Sequence, residues 1–161
     1  FASSTDNLAG ALAHGGSFDH RVKYIGPLSR FIIHHPSSII NYSTYATIAI
    51  LSGLEPQRTI FEQELVNRFR TSNQSLLIVR GKIGGPATST HIGSVTLVPY
   101  LQDEELLYLM QAATTIIVRS GYSTIMDLAV LGLLGKAEFH PTPGQSEQEY
   151  LAAKLIGKFN L

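Results

Sequence analysis

The sequence contains no cysteine. That excludes disulfides and thiolate metal sites, and it suits a reducing compartment such as the cytoplasm. There is no excess of charge either, since 12 basic residues balance 12 acidic ones in a chain of 161. A balanced chain lacks the basic field that non-specific nucleic-acid binding needs, so no nucleic-acid partner is expected. No run of about 18 apolar residues occurs, so no stretch of the sequence reads as a membrane-spanning helix. Internal repeats and low-complexity tracts are missing. The six histidines, at 14, 20, 34, 35, 91 and 140, form no His-x₃-His pair, and adjacent His34 and His35 would point to opposite faces of a strand. No metal site is therefore expected. The sequence starts at Phe1 without a charged-then-apolar leader. It reads as a piece of a longer chain, with part of the active site expected elsewhere.

What is present is an alternation of short apolar runs and amphipathic stretches. Residues 1–21 are small, polar and glycine-rich, and read as a linker or edge segment from a preceding domain, with a short helix over 7–13. Residues 22–161 read as one domain. Strands are predicted over 22–25 (closed by Gly26-Pro27), 45–51 (YATIAIL), 76–80 (LLIVR), 95–98 (VTLV), 115–118 and 137–139. Helices are predicted over 57–70, with Ile60, Phe61, Leu65 and Phe69 on one face, and over 102–113, with Leu106, Leu107, Leu109 and Met110 inward. Two more follow over 124–131 and 146–157, the last with Tyr150, Leu151, Leu155 and Ile156 on its apolar side. Residues 81–93 (GKIGGPATSTHIG) read as a polar loop or flap. Strands without a polar alternate face are buried on both sides, and the intervening helices supply the cover. The expected fold class is therefore α/β: a doubly wound, mostly parallel, Rossmann-like sheet.

Two strand-to-helix junctions carry more polar groups than a turn requires. "SGLEPQRT" (52–59) follows the first strong strand and "RSGYST" (119–124) follows the fourth. In a doubly wound sheet of order 3-2-1-4-5 these strands are neighbours, and the crevice at their carboxyl ends is where such folds bind ligands. Gly53 and Gly121 would let a phosphate approach the backbone, and helix N–H groups would point at it. Hydroxyls of Ser52, Ser120, Ser123 and Thr124 would add donors, and Arg58 and Arg119 positive charge. Each junction alone is better explained by N-capping or a common Ser-Gly turn; the two together at the switch point favour a ligand. Neither a G-x-x-x-x-G-K-[ST] nor a G-x-G-x-x-G signature is present. Asp127, in the helix after the second junction, is either a capping partner or a carboxylate accepting bonds from two sugar hydroxyls. In "HPTPGQSEQE" (140–149) Ser146 and Glu149 fit a capping box. Gln148 has no such local duty and suits a hydroxyl that both donates and accepts. His140 lies at the crevice edge, either near a ligand or as an ordinary loop histidine.

"RSGYSTIMDL" followed by "PTPGQSEQEYLA" resembles the carboxy-terminal donor-binding domain of GT-B glycosyltransferases, in the family that includes the peptidoglycan UDP-N-acetylglucosamine transferase. The resemblance runs over about 22–158. "SGLEPQRT" looks like a variant of that family's first glycine-rich loop, without its second glycine pair. The resemblance implies that Ser120, Gly121, Ser123 and Thr124 sit at a donor diphosphate. Asp127 stands where the family has a glutamate on the ribose hydroxyls. Tyr100 and Leu101 would frame the base, and Gln148 and Glu149 would read the sugar. Ala152 stands where the family often has an asparagine, which leaves the sugar open. The acidic "QDEE" (102–105) is a helix start rather than a D-x-D motif, so donor binding without metal or cofactor is expected. The expected function is the donor-binding half of a hexosyltransferase using a nucleotide sugar, most simply a UDP-sugar. Its acceptor site and general base would lie in an amino-terminal domain, the isolated piece would be inactive, and the whole protein would be cytoplasmic or peripheral to a membrane that carries the acceptor. A sugar-nucleotide epimerase of the same fold and a non-catalytic nucleotide-sugar-binding subunit are the alternatives.

Overall fold

The computed structural model describes residues 8, 9, 12, 23, 26–31, 44–82 and 88–159. The strand expected over 22–25 and the helix expected over 7–13 lie largely outside these residues, as do His14, His20, His34 and His35. The chain folds as one α/β domain. Its strands are β1 (Thr47–Ile50), β2 (Leu76–Val79), β3 (Thr90–Ile92), β4 (Val95–Val98), β5 (Thr115–Val118) and β6 (Ala137–Phe139). Its helices are α1 (Gln57–Phe69), α2 (Asp103–Ala112), α3 (Tyr122–Val130) and α4 (Ser146–Phe159).

The six strands form one sheet in the order β3-β4-β2-β1-β5-β6. Every pairing is parallel except β3 with β4. β1 therefore lies beside β5, and the reversal of strand order falls between them. β1, β2, β4 and β5 are apolar at almost every position because both faces are covered. Ile48, Leu77, Val79, Ile116 and Val118 meet α2, α3 and α4 through Leu106, Met110, Ile125, Leu128, Leu151 and Leu155. The alternate residues Ala49, Leu51, Leu76, Ile78 and Ile117 meet α1 through Phe61, Leu65 and Phe69. The period of two along each strand thus divides the core into two layers.

Several expectations need correction. Ile60, Tyr150 and Ile156 are exposed rather than inward, and Ala152 is buried with Leu151 and Leu155. Residues 90–92 of the supposed flap are a strand: β3 turns through Gly93, at φ +58°, and pairs antiparallel with β4. Its residues are all exposed, so it shows no apolar face in the sequence. Helix α3 begins two residues earlier than predicted, at Tyr122. The capping box at α4 does not form: the Glu149 carboxylate accepts from the Gly144 N–H at 3.3 Å, and Ser146 is the first helical residue. Among the described residues no helix is long and apolar enough to cross a membrane.

Candidate functional site

The carboxyl ends of the parallel strands open into a cleft of about 880 Å³. Ile50, Leu51 and Ser52 enter from the end of β1, Val79 and Gly81 from β2, and Tyr100 to Asp103 from the β4–α2 connection. Ser123, Thr124 and Asp127 line it from α3, and Leu28, Ser29 and Arg30 close its remaining side. Gly81 is required there. Its φ is +66°, and a Cβ would come within 2.9 Å of the Leu51 carbonyl oxygen. Only glycine lets the ends of β1 and β2 approach so closely at that backbone angle.

Helix α3 presents an open N-terminus to this cleft. Its N-cap, Gly121, is extended, and no side chain caps the helix. The first intrahelical bond runs from the Ile125 N–H to the Gly121 carbonyl at 3.0 Å. The amides of the first turn therefore have no acceptor within the helix. The Ser123 and Thr124 side chains lie in that turn and line the cleft.

Asp127 sits one turn further in, mostly buried. It does not cap the helix. Its Oδ1 accepts from the Ser29 hydroxyl at 2.7 Å, and its Oδ2 pairs with Arg30 Nε at 3.3 Å. Arg30 also reaches Asp103 at 3.2 Å. The Leu28 N–H donates to Met126 Sδ at 3.2 Å, so residues 28–31 are tied down along α3. Ser29 and Arg30 were not singled out by the sequence, and Gln102 and Asp103 were read only as a helix start. Ser29 and its partner are 98 positions apart, and a lone Arg after a Gly-Pro turn carries no local signal. Arg30 is the only cation lining the cleft among the described residues.

The remaining expected site residues lie elsewhere. Ser120 is fully buried and donates to the Gln148 carbonyl at 2.7 Å. That hydroxyl holds the start of α4 against the β5–α3 junction and is not available to a ligand. Arg119 is 5% exposed, and its guanidinium donates to the carbonyls of His140, Pro141 and Gln57. Its carbon lies 4.0 Å from the centre of the Phe61 ring. Burial lowers its pKa, with Glu64 opposing that shift only secondarily. Arg58 turns to Glu55, at 2.9 Å, and to the Gly81 carbonyl. Glu55 in turn accepts from the Thr59 N–H at 3.1 Å. Bonds from Thr59, then from Arg58, hold the Glu55 carboxyl down at about 2. Gly53 stands in a turn at φ +91° beside this group, outside the cleft lining.

Gln148 and Gly121 border a second, smaller cleft of about 310 Å³ with Gly144, Gln145, Ser146 and Glu147. The start of α3 thus touches both clefts. Both ends of the Gln148 amide are engaged: its oxygen accepts from the Thr142 N–H at 2.9 Å and its nitrogen donates to Gln145 Oε1 at 2.5 Å. His140 contacts neither cleft; its Nε2 is 2.7 Å from Glu138. Burial would raise the Glu138 carboxyl, but bonds from Arg68 and His140 bring it below its ordinary value. Among the described residues no three His, Asp or Glu side chains are grouped to hold a metal ion. No protein-family model matches the sequence, and no curated protein matches it.

Proposed function

We propose that this chain is the donor-binding half of a glycosyltransferase that uses a nucleotide-diphosphate sugar, with a UDP-sugar as the expected donor. The observation that carries this proposal is the cleft at the strand-order reversal, where an uncapped helix N-terminus and a carboxylate one turn further in line the same wall. Unsatisfied N–H groups at a helix start favour an anion, and the helix dipole reinforces them. The diphosphate would meet the first turn of α3 with the Ser123 and Thr124 hydroxyls. The nucleoside would lie in the larger cleft, with Tyr100 and Leu101 against the base and Asp127 on the ribose.

Asp127 keeps the capacity for this although Ser29 and Arg30 already contact it. An ionised carboxylate offers about four lone-pair sites, and the two contacts use one on each oxygen. The sugar would then point toward the smaller cleft and Gln145, Glu147 and Gln148. As the glycosidic bond breaks, negative charge grows on the leaving diphosphate. Fixed N–H groups stabilise that charge without reorganising. The acceptor hydroxyl and its general base are assigned to another domain of the whole protein.

Calorimetric titration with UDP, ADP and TDP tests the proposal. UDP should bind, and Asp127→Ala should weaken binding by about 10- to 100-fold, the loss of bonds to a charged acceptor, while the domain still melts cooperatively. Failure of every diphosphate to bind would sink the proposal. Unchanged UDP affinity in the folded variant would remove Asp127 from the site. Incubation of this chain with a UDP-sugar and acceptors should give no transfer; turnover would overturn the assignment of acceptor chemistry to another domain.

A further inference from the structure

Arg119 is the most deeply buried cation described, at 5% exposure, and among the described residues no carboxylate lies within ion-pair distance of it. Burying a charge without a counter-charge is costly unless it has a task. Its partners show where that task lies. The guanidinium donates to Pro141 O at 2.9 Å, to His140 O at 3.2 Å and to Gln57 O at 3.3 Å. Pro141 and His140 belong to the β6–α4 connection, and Gln57 is the first residue of α1. Arg119 itself directly follows β5, two residues before the N-cap of α3. One planar fork therefore ties together the chain ends that follow β5 and β6 and the helix that follows β1. The face of Phe61, at 4.0 Å, packs on the guanidinium and excludes water.

We propose that Arg119 is a positioning residue for the anion site at the start of α3, acting from behind it without touching the ligand. It fixes the loops around the helix N-terminus, and its charge, opposed by Glu64 only from beyond ion-pair distance, adds to the potential the amides present there. Arginine keeps its proton even when buried, and a charge screened from water acts through a lower effective dielectric than a surface lysine does. Carbonyl dipoles satisfy its N–H groups but leave its net charge in place. This inference rests on the donor-site proposal above, since it needs an anion at α3.

The test compares UDP with uridine, which differ in the diphosphate alone. Both are titrated into the wild-type chain and into Arg119→Met and Arg119→Lys, with thermal melts to establish folding. Arg119→Met should weaken UDP by about tenfold, the order expected for one charge acting through protein, while uridine affinity stays within about twofold. Arg119→Lys retains the charge and loses the fork, so UDP affinity should fall between the two, again with uridine unchanged. Equal losses for UDP and uridine would show a merely structural role and overturn the proposal, as would wild-type UDP affinity in folded Arg119→Met. If the methionine variant does not fold, the lysine variant decides: a loss confined to UDP supports the proposal, and wild-type affinity or a shared loss overturns it. A wild-type chain that binds no UDP refutes the donor site itself, and this role with it.

Discussion

Gly121 separates the needs of the fold from those of a ligand. It is the N-cap of α3, with φ −79° and ψ 149°, an extended conformation open to any residue. A Cβ placed on it meets no protein atom within 4 Å. Neither backbone angle nor crowding therefore calls for glycine, unlike Gly81 and Gly93. Serine at an N-cap is better than glycine by only a few tenths of a kcal/mol. Gly121→Ser should thus leave stability unchanged or raise it by about 0.3 kcal/mol, which is a Tm change of about 1 °C for a domain of this size. Gly121→Ala gives up the cap without adding a clash and should cost under about 1 kcal/mol.

Binding should behave in the opposite way. A side chain at 121 would stand where, under the proposed function, the diphosphate approaches the backbone, and a serine hydroxyl would occupy the amides the phosphate needs. Each lost charge-assisted bond is worth roughly 1.5–3 kcal/mol, so UDP affinity should drop by about tenfold or more in both variants. Thermal melts and UDP titrations on the same samples are the assay. A folded Gly121→Ser that binds UDP like the wild type would refute the idea that the bare N-terminus of α3 faces the phosphates.

Two further predictions concern the β1–α1 junction and the β3–β4 turn. The Glu55 carboxyl, held near 2 by Thr59 and then Arg58 against an ordinary 4.5, should titrate with a midpoint near 2 by carbon-13 NMR. Because the folded value is depressed, its contribution is complete above about 4.5 and is lost as pH falls toward 2, and Glu55→Gln should abolish that dependence. Gly93→Ala should destabilise the domain by at least about 1–2 kcal/mol from the positive φ alone. The new Cβ would also overlap the Arg70 carbonyl, so a thermal melt within about 1 °C of wild type would contradict the β3–β4 turn as described.

The sheet was legible because its strands are short β-branched runs buried on both faces, while the strand order was taken from the common doubly wound arrangement. β3 was not legible, since an exposed edge strand of Thr90, His91 and Ile92 shows no apolar face and sits in a Gly-, Pro- and Thr-rich stretch. At the candidate site, local pattern located the junctions but not the direction of each side chain. Ser120 and Ser123 look alike in "RSGYST", yet one is consumed by a carbonyl 28 residues away and the other faces the cleft. Arg119 and Arg58 looked like phosphate ligands because charge was counted without its partners. Each is already committed, Arg119 to carbonyls up to 62 residues distant and Arg58 to Glu55. The segment that fills the far wall, residues 28–31, is joined to α3 across 98 positions, beyond any local signal.

The distribution of charge along the cleft assigns its ends. Around Asp127 two carboxylates, Asp103 and Asp127, lie beside one guanidinium, that of Arg30. A diphosphate placed there would meet both carboxylates, whereas neutral hydroxyl donors such as a ribose diol would find an acceptor in Asp127. At the outer end α3 offers only donors: first-turn amides, two hydroxyls and the positive end of its dipole. Under the proposed function, a nucleoside diphosphate would therefore lie with its hydroxyls at Asp127 and its phosphates at Ser123 and Thr124. A ligand with its negative charge at the sugar end would bring it against Asp103 and Asp127, so the proposed site would select polarity before any contact with the base is made.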